Sequence, residues 1–364
     1  MKYLDEFRDP GLAETLVENI RRRSTRPVRI MEFCGTHTVS IFKHGIRQLL
    51  PPTIGMLSGP GCPVCVTGNA DLDWAIALAN EPEVIVTTFG DMLRVPGSRS
   101  SLEKAKAEGA DVRMVYSTLD ALQIAKDNPD RLIVFLGIGF ETTAPTIAAS
   151  VLQAQAEGVD NYYILSMHKL TPPATRAILD SGESSLDGII GPGHVTTIIG
   201  ARAWEFLPRE YGLSCAIAGF EPLDILQSIH TLVDRIESED PQVDNVYSRS
   251  VRPEGNKVAL EHMYRVFEVC TTDWRGIGAV PASGLRLRER YRHFDARERF
   301  QVDPGPVVEP PGCLCGDVIR GVRTPPDCGL YRKVCTPHHP VGPCMVSSEG
   351  TCAAYYLYAG EQRS

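Results

Sequence analysis

The chain has 364 residues, with 45 acidic side chains against 37 basic ones and a formal net charge of −8. That balance argues against nucleic acid or an anionic membrane as the main partner, and no apolar run approaches the ~20 residues needed to span a bilayer. A hydrophobic share of 43% with 23% charged residues describes an ordinary globular protein, long enough for two or three domains. Residues 1–23 carry acids and lack an apolar signal region, so they read as an amphipathic helix and not as a signal peptide. The expected location is the cytoplasm, where thiols stay reduced. Eleven cysteines in that compartment point to metal or redox chemistry more than to a disulfide scaffold.

Along the chain, short apolar runs recur, each ending in a glycine-rich or polar turn. They are VRIMEFCG (28–35), TIGMLSGPG (53–61), EVIVTTFG (83–90), VRMVYS (112–117), RLIVFLGIGF (131–140), NYYILSMH (161–168), GIIGPGH (188–194) and CAIAGF (215–220). Runs apolar throughout suit strands covered on both faces, as in parallel sheets. Helix-like stretches lie between them at 69–80, 101–109, 146–158 and 172–182. This alternation predicts an α/β fold with doubly wound parallel sheets. Turn echoes (TTFGD, GIGFE, AGFEP) suggest two related α/β domains, placed at 1–115 and 116–236. The polar stretch 237–256 reads as a boundary, and 256–270 has helical periodicity. A third, helical and loop-rich domain is expected over 237–364.

Three segments hold most of the sulfur chemistry. Cys34 and His37 of MEFCGTH sit where a buried strand should end, which is where ligands gather in open α/β sheets. A thiolate beside an imidazole suits a nucleophile, a redox thiol or a metal pair; the competing reading is a buried structural Cys with a hydrogen-bonded His. Cys62 and Cys65 of GPGCPVC form a C-x-x-C between a strand and a helix, a redox or chelating arrangement. Between Cys313 and Cys352 lie six cysteines amid many glycines and prolines, a segment unable to build its own apolar core. Four thiolates, Cys313, Cys328, Cys335 and Cys352, would suit a cubane iron–sulfur cluster, leaving Cys315 and Cys344 as a dithiol. Zinc and plain disulfides compete, although the tail lacks the paired C-x2-4-C spacing usual for zinc. The turn GFETTAPT (139–146) offers Glu141 as a proton acceptor or donor, and His168 and His194 also fall at strand ends. A nucleotide phosphate loop, an H-E-x-x-H zinc helix and a G-x-S-x-G elbow are all missing.

Together, CGTH (34–37), GPGCPVC (59–65), GFETTAPT (139–146), GPGHV (191–195) and the tail from CLCGDVIRG (313–321) to CTPHHPVGPCMVSSEGTCAAYY (335–356) resemble the HypD family of hydrogenase maturation factors. The resemblance runs from Cys34 to Tyr356, with five motifs in order. It implies two related α/β domains and a third carrying a [4Fe-4S] cluster. It also implies a redox-active scaffold for the Fe(CN)2CO group of [NiFe] hydrogenases, more an assembly platform than a turnover enzyme. A HypC-type chaperone would share the ferrous iron, and a HypE-type partner would donate cyanide. By this resemblance Cys34 ligates iron with His37 beside it, and Cys62 and Cys65 hold iron or exchange electrons. The turn bearing Glu141 lines the same cleft. A further likeness to ferredoxin–thioredoxin reductase puts Cys313, Cys328, Cys335 and Cys352 on the cluster and pairs Cys315 with Cys344; exchange of Cys313 for Cys315 stays open. The alternatives are a cluster-dependent thiol–disulfide reductase and a zinc-stabilised adaptor.

Overall fold

A computed structural model describes residues 5–360; the first four residues of the expected N-terminal helix lie outside them, and the helix itself runs Pro10–Arg23. All eight apolar runs form strands: β1 (Val28–Glu32), β2 (Ile54–Ser58), β3 (Val84–Thr88), β4 (Val112–Met114), β5 (Leu132–Gly137), β6 (Tyr162–Ser166), β7 (Gly188–Pro192) and β8 (Ser214–Ala218). Every residue of β3, β7 and β8 is buried, which explains runs without polar alternation. The strands make two all-parallel sheets, one ordered β2-β1-β7-β8 and the other β4-β3-β5-β6. In each, the first strand of the set lies between the next two to arrive, so each sheet has a crevice where the strand order reverses. The two units share this topology.

Sheet membership does not follow the segments 1–115 and 116–236. β3 and β4 share a sheet with β5 and β6, whereas β7 and β8 return to the free edge of β1. The chain leaves the first unit after β2 and re-enters it at β7. Apolar periodicity marks where a strand lies; it carries no record of which open edge the strand will fill.

Beyond residue 236 the structure departs further from expectation. The polar stretch contains β9 (Val243–Asn245), which adds to β8 as a fifth strand. The helix predicted over 256–270 stops at Val266, and the chain turns directly into β10 (Phe267–Trp274), paired antiparallel with β11 (Gly278–Leu287). This hairpin joins the two units: Trp274 bridges to Thr67 after the C-x-x-C, and Gly284 bridges to Lys169 after β6. The fully buried Lys169 ammonium donates to Thr272 Oγ1 at 2.8 Å and lies 3.7 Å from an Asp71 carboxylate oxygen. The tail closes with the helix Thr351–Tyr358, packed on the helix Gly35–Lys43. There the Tyr355 ring packs on Phe42, tilted by 55° with centroids 4.4 Å apart, and Arg47 donates to the Tyr355 hydroxyl at 2.7 Å. Among the described residues no helix is long and apolar enough to cross a membrane.

Candidate metal and redox site

Cys34 follows β1 at the crevice between β1 and β7, and its extended backbone makes it the cap of the helix Gly35–Lys43. Its amide donates to Glu32 Oε2 at 2.9 Å, and the same carboxylate takes the Thr38 hydroxyl. Burial lifts Glu32 to about 7. Burial also pushes the Cys34 thiol up to about 12, with the Glu349 and Glu32 carboxylates adding to the effect. The free thiol is therefore protonated at neutral pH, and a metal arriving there must displace a proton.

His37 lies on the same helix, fully buried. Its Nε2–H donates to the carbonyls of Gly219 at 2.9 Å and Ala218 at 3.3 Å, at the end of β8. Its ring stacks on Phe220 with centroids 4.8 Å apart, and His194 stacks on Phe220 at 3.8 Å. Burial lowers His37 to about 4, so the ring is neutral. Among the described residues Nδ1 has no hydrogen-bond partner. A neutral ring with one nitrogen anchored on a carbonyl and the other free is the state in which histidine binds metal.

The GPGCPVC loop presses against Cys34. The Gly35 amide donates to Gly61 O at 2.9 Å, and a Cβ on Gly61 would come within 2.6 Å of the Cys34 carbonyl carbon. Glycine is required by this approach. Cys62 caps the short helix Pro63–Val66, with Pro63 at its first position, and is disulfide-bonded to Cys65 with a Cα–Cα distance of 5.2 Å. Both are buried.

The tail supplies the third sulfur group. All six of its cysteines (Cys313, Cys315, Cys328, Cys335, Cys344 and Cys352) line one small apolar cavity. Cys315 Sγ lies 2.8 Å from Cys344 Sγ. Hydrogen bonds from Cys313 and Cys344, aided by the Arg275 charge, stabilise the Cys315 thiolate, while the Cys344 thiol is pushed up. The Val341 amide donates to Cys335 Sγ at 3.4 Å. Six sulfurs around one apolar space fit a thiolate-ligated cluster with two to spare. Among the described residues no group of three or more His, Cys, Asp or Glu side chains is gathered around a single-ion position.

The three groups meet. Cys65 Sγ lies 3.9 Å from Pro343 O, one residue before Cys344. Glu349 accepts a hydrogen bond from Thr36 of CGTH at 2.8 Å, and a Cβ on Gly35 would come within 2.6 Å of its Cβ. Thus tail residues 343–349 cover both α/β loops. Glu141, in contrast, spends its carboxylate on the helix Thr171–Ser181, accepting the Thr171 amide at 2.8 Å and its hydroxyl at 3.2 Å. Its turn reaches the thiol loop through Phe140, stacked 6.1 Å from Trp274, whose backbone bridges to Thr67. Burial lifts Glu141 to about 7. Sequence reasoning missed Glu32, Glu349 and Phe220; Glu32, a carboxylate within an apolar run, and Phe220, in a repeated GFE turn, carried a signal.

Comparison with known proteins places this arrangement. Residues 11–359 match the family model described as "HypD: Hydrogenase formation hypA family". The hydrogenase maturation factor HypD of Azotobacter vinelandii is 49% identical, covering 100% of this chain and 98% of its own length. HypD of Rhodobacter capsulatus is 47% identical, with 99% of each chain covered. HypD of Escherichia coli K12 is 42% identical, over 100% of this chain and 99% of its own. The protein therefore belongs to the HypD family of hydrogenase maturation factors.

Proposed function

We propose that within hydrogenase maturation this protein is the cytoplasmic, redox-active scaffold on which one ferrous ion, its cargo, receives cyanide and carbon monoxide. A HypC-type chaperone would share the iron and a HypE-type partner would deliver cyanide. The observation that carries the reading is the contiguity of the three sulfur groups, from Cys34 through Cys62 and Cys65 to Cys344, Cys315 and the tail cavity.

In this reading Cys34 loses its proton on gripping iron, and the partner chaperone adds a second thiolate, a ligand type suited to ferrous iron. His37 offers Nδ1 to the same crevice, held by Gly219 and Phe220. Cys313, Cys328, Cys335 and Cys352 would hold a [4Fe-4S] cluster, which when bound supplies single electrons. The Cys315 thiolate and Cys344 thiol, in contact with each other, would pass two electrons toward Cys65 by closing to a disulfide with loss of one proton, and two further electrons with one proton would restore the pair. Opening the Cys62–Cys65 bond takes two electrons and two protons and yields two thiols beside Cys34. The tail residues over Gly35 keep water from the iron crevice.

The reductase alternative needs a foreign disulfide to reach Cys62 or Cys65, yet both are buried at 4% and 2% exposure. That favours the scaffold. Infrared spectroscopy of the protein purified with its small chaperone is the test: cyanide and carbonyl stretches support the reading, and their absence from a sample with intact cluster absorbance overturns it.

A further inference from the structure

A cleft of about 630 Å³ lies between the loop following β3 and the tail. One wall is Arg94 and residues 96–101 with Lys104; the other is Val308–Pro311 and Val334 with residues 338–341. Its rim is cationic. Arg94, Arg99 and Lys104 are exposed, and among the described residues Arg99 and Lys104 have no side-chain hydrogen bond or ion pair. His338 and His339 complete the rim. Of the two carboxylates there, Glu309 is paired with Arg275 at 3.1 Å, leaving Glu103 alone. The neighbouring tail carries the same sign: from Cys328 to Ser348 it holds Arg332 and Lys333 and no acidic residue, in a chain of net charge −8. Exposed Val308 and Val334 give the rim an apolar centre.

The cleft also touches the cysteine cavity. Val341 lines the cleft, and its amide donates to Cys335 Sγ, which lines the cavity. One hydrogen bond separates the outer surface from a sulfur of the proposed cluster.

We propose that this cleft docks a small acidic one-electron carrier protein, a ferredoxin or flavodoxin type, which delivers electrons through the Cys335 loop. The proposal rests on the reading that the tail cavity holds a cluster. Charge complementarity selects the partner, since a positive rim steers an anionic protein and disfavours cationic ones. The valines supply the small apolar contact that a transient redox complex needs, in an interface at the low end of the size range. Each carrier gives up one electron and leaves oxidised. Two encounters, with two protons from solvent, convert the Cys62–Cys65 disulfide into two thiols.

The test uses the full chain carrying its cluster, with a strongly acidic bacterial ferredoxin as probe, read by surface plasmon resonance and by stopped-flow reduction of the cluster chromophore. Wild type is expected to bind at low salt and to weaken steeply as salt rises. The Arg99→Glu/Lys104→Glu double variant is expected to lower affinity and bimolecular rate about tenfold or more, with folding and cluster absorbance retained. Arg252→Glu, beyond β9, should change neither. Absence of ferredoxin binding, or binding indifferent to the double reversal, overturns the docking proposal while the cluster reading stands. Displacement by inorganic phosphate far beyond chloride at equal ionic strength also overturns it, making the cleft a small-anion site. A wild-type protein without cluster absorbance after anaerobic reconstitution overturns the parent reading and this proposal with it.

Discussion

Cys65 Sγ approaches the carbonyl oxygen of Pro343 to 3.9 Å, so the C-x-x-C of one α/β unit rests on the residue that precedes a cysteine of the tail dithiol. That contact sets the Cys62–Cys65 bond against the residue that adjoins the Cys315–Cys344 pair. Cys344→Ser should keep the cluster chromophore, because Cys344 is outside the proposed ligand set. It should also slow chromophore-linked reduction of Cys62–Cys65 by about tenfold or more, an effect of about 1.4 kcal/mol. Timed alkylation with mass detection reads the thiols; equal rates in variant and wild type would remove Cys344 from the relay.

Cys34 and Cys328 should separate cleanly. Cys34 sits at the sheet crevice and Cys328 on the tail cavity. Cys34→Ala is expected to abolish hydrogenase maturation with the tail's visible absorbance unchanged. Cys328→Ala is expected to lose that absorbance. Maturation retained without Cys34, or an unaltered spectrum without Cys328, assigns the residue elsewhere.

The legibility of this chain divides along physical lines. Strands buried on both faces announce themselves as unbroken apolar runs, and all eight were readable. The insertion of β7 beside β1 was not, since an open edge leaves no local trace. The hairpin β10–β11 was hidden because the periodicity of the helix Lys257–Val266 was carried past its true end into Phe267. Cysteine motifs were visible because few other roles explain them. Their supports were not: Glu349 lies 313 residues from Thr36 in sequence and touches it only in the fold. The GFE echo has a physical meaning after all, at a different level. Phe140 and Phe220 each turn an aromatic ring from a strand end onto a partner, Trp274 and His37 respectively.

Gly61 is the tightest point of the iron crevice. A methyl group there meets the Cys34 backbone, which has no flexible end to yield. Gly61→Ala should destabilise the fold by ~1–3 kcal/mol through overpacking and displace the Cys62–Cys65 loop from Cys34. Urea denaturation gives the first effect. Gly329→Ala is a control with open space around its Cβ and, like Gly61, no positive φ. A cost at Gly61 no greater than that at Gly329 would show that the close approach is dispensable.

Stability should fall as pH rises through neutrality. Glu141 is lifted from an ordinary 4.5 to about 7 by burial, so the folded chain holds this proton more tightly than the unfolded one. A raised carboxyl favours folding fully below about pH 4.5, and the advantage is lost as pH climbs through about 7. At 1.36 kcal/mol per unit the span is on the order of 3 kcal/mol for one group. Glu32, lifted likewise to about 7, adds to the same slope. Glu141→Gln keeps an oxygen acceptor for the Thr171 amide and removes the titration. Denaturant midpoints at pH 5 and pH 8 should therefore differ less in the variant than in wild type, with the gain at pH 8. Equal differences in both proteins would mean that the Glu141 carboxyl titrates as an ordinary glutamate.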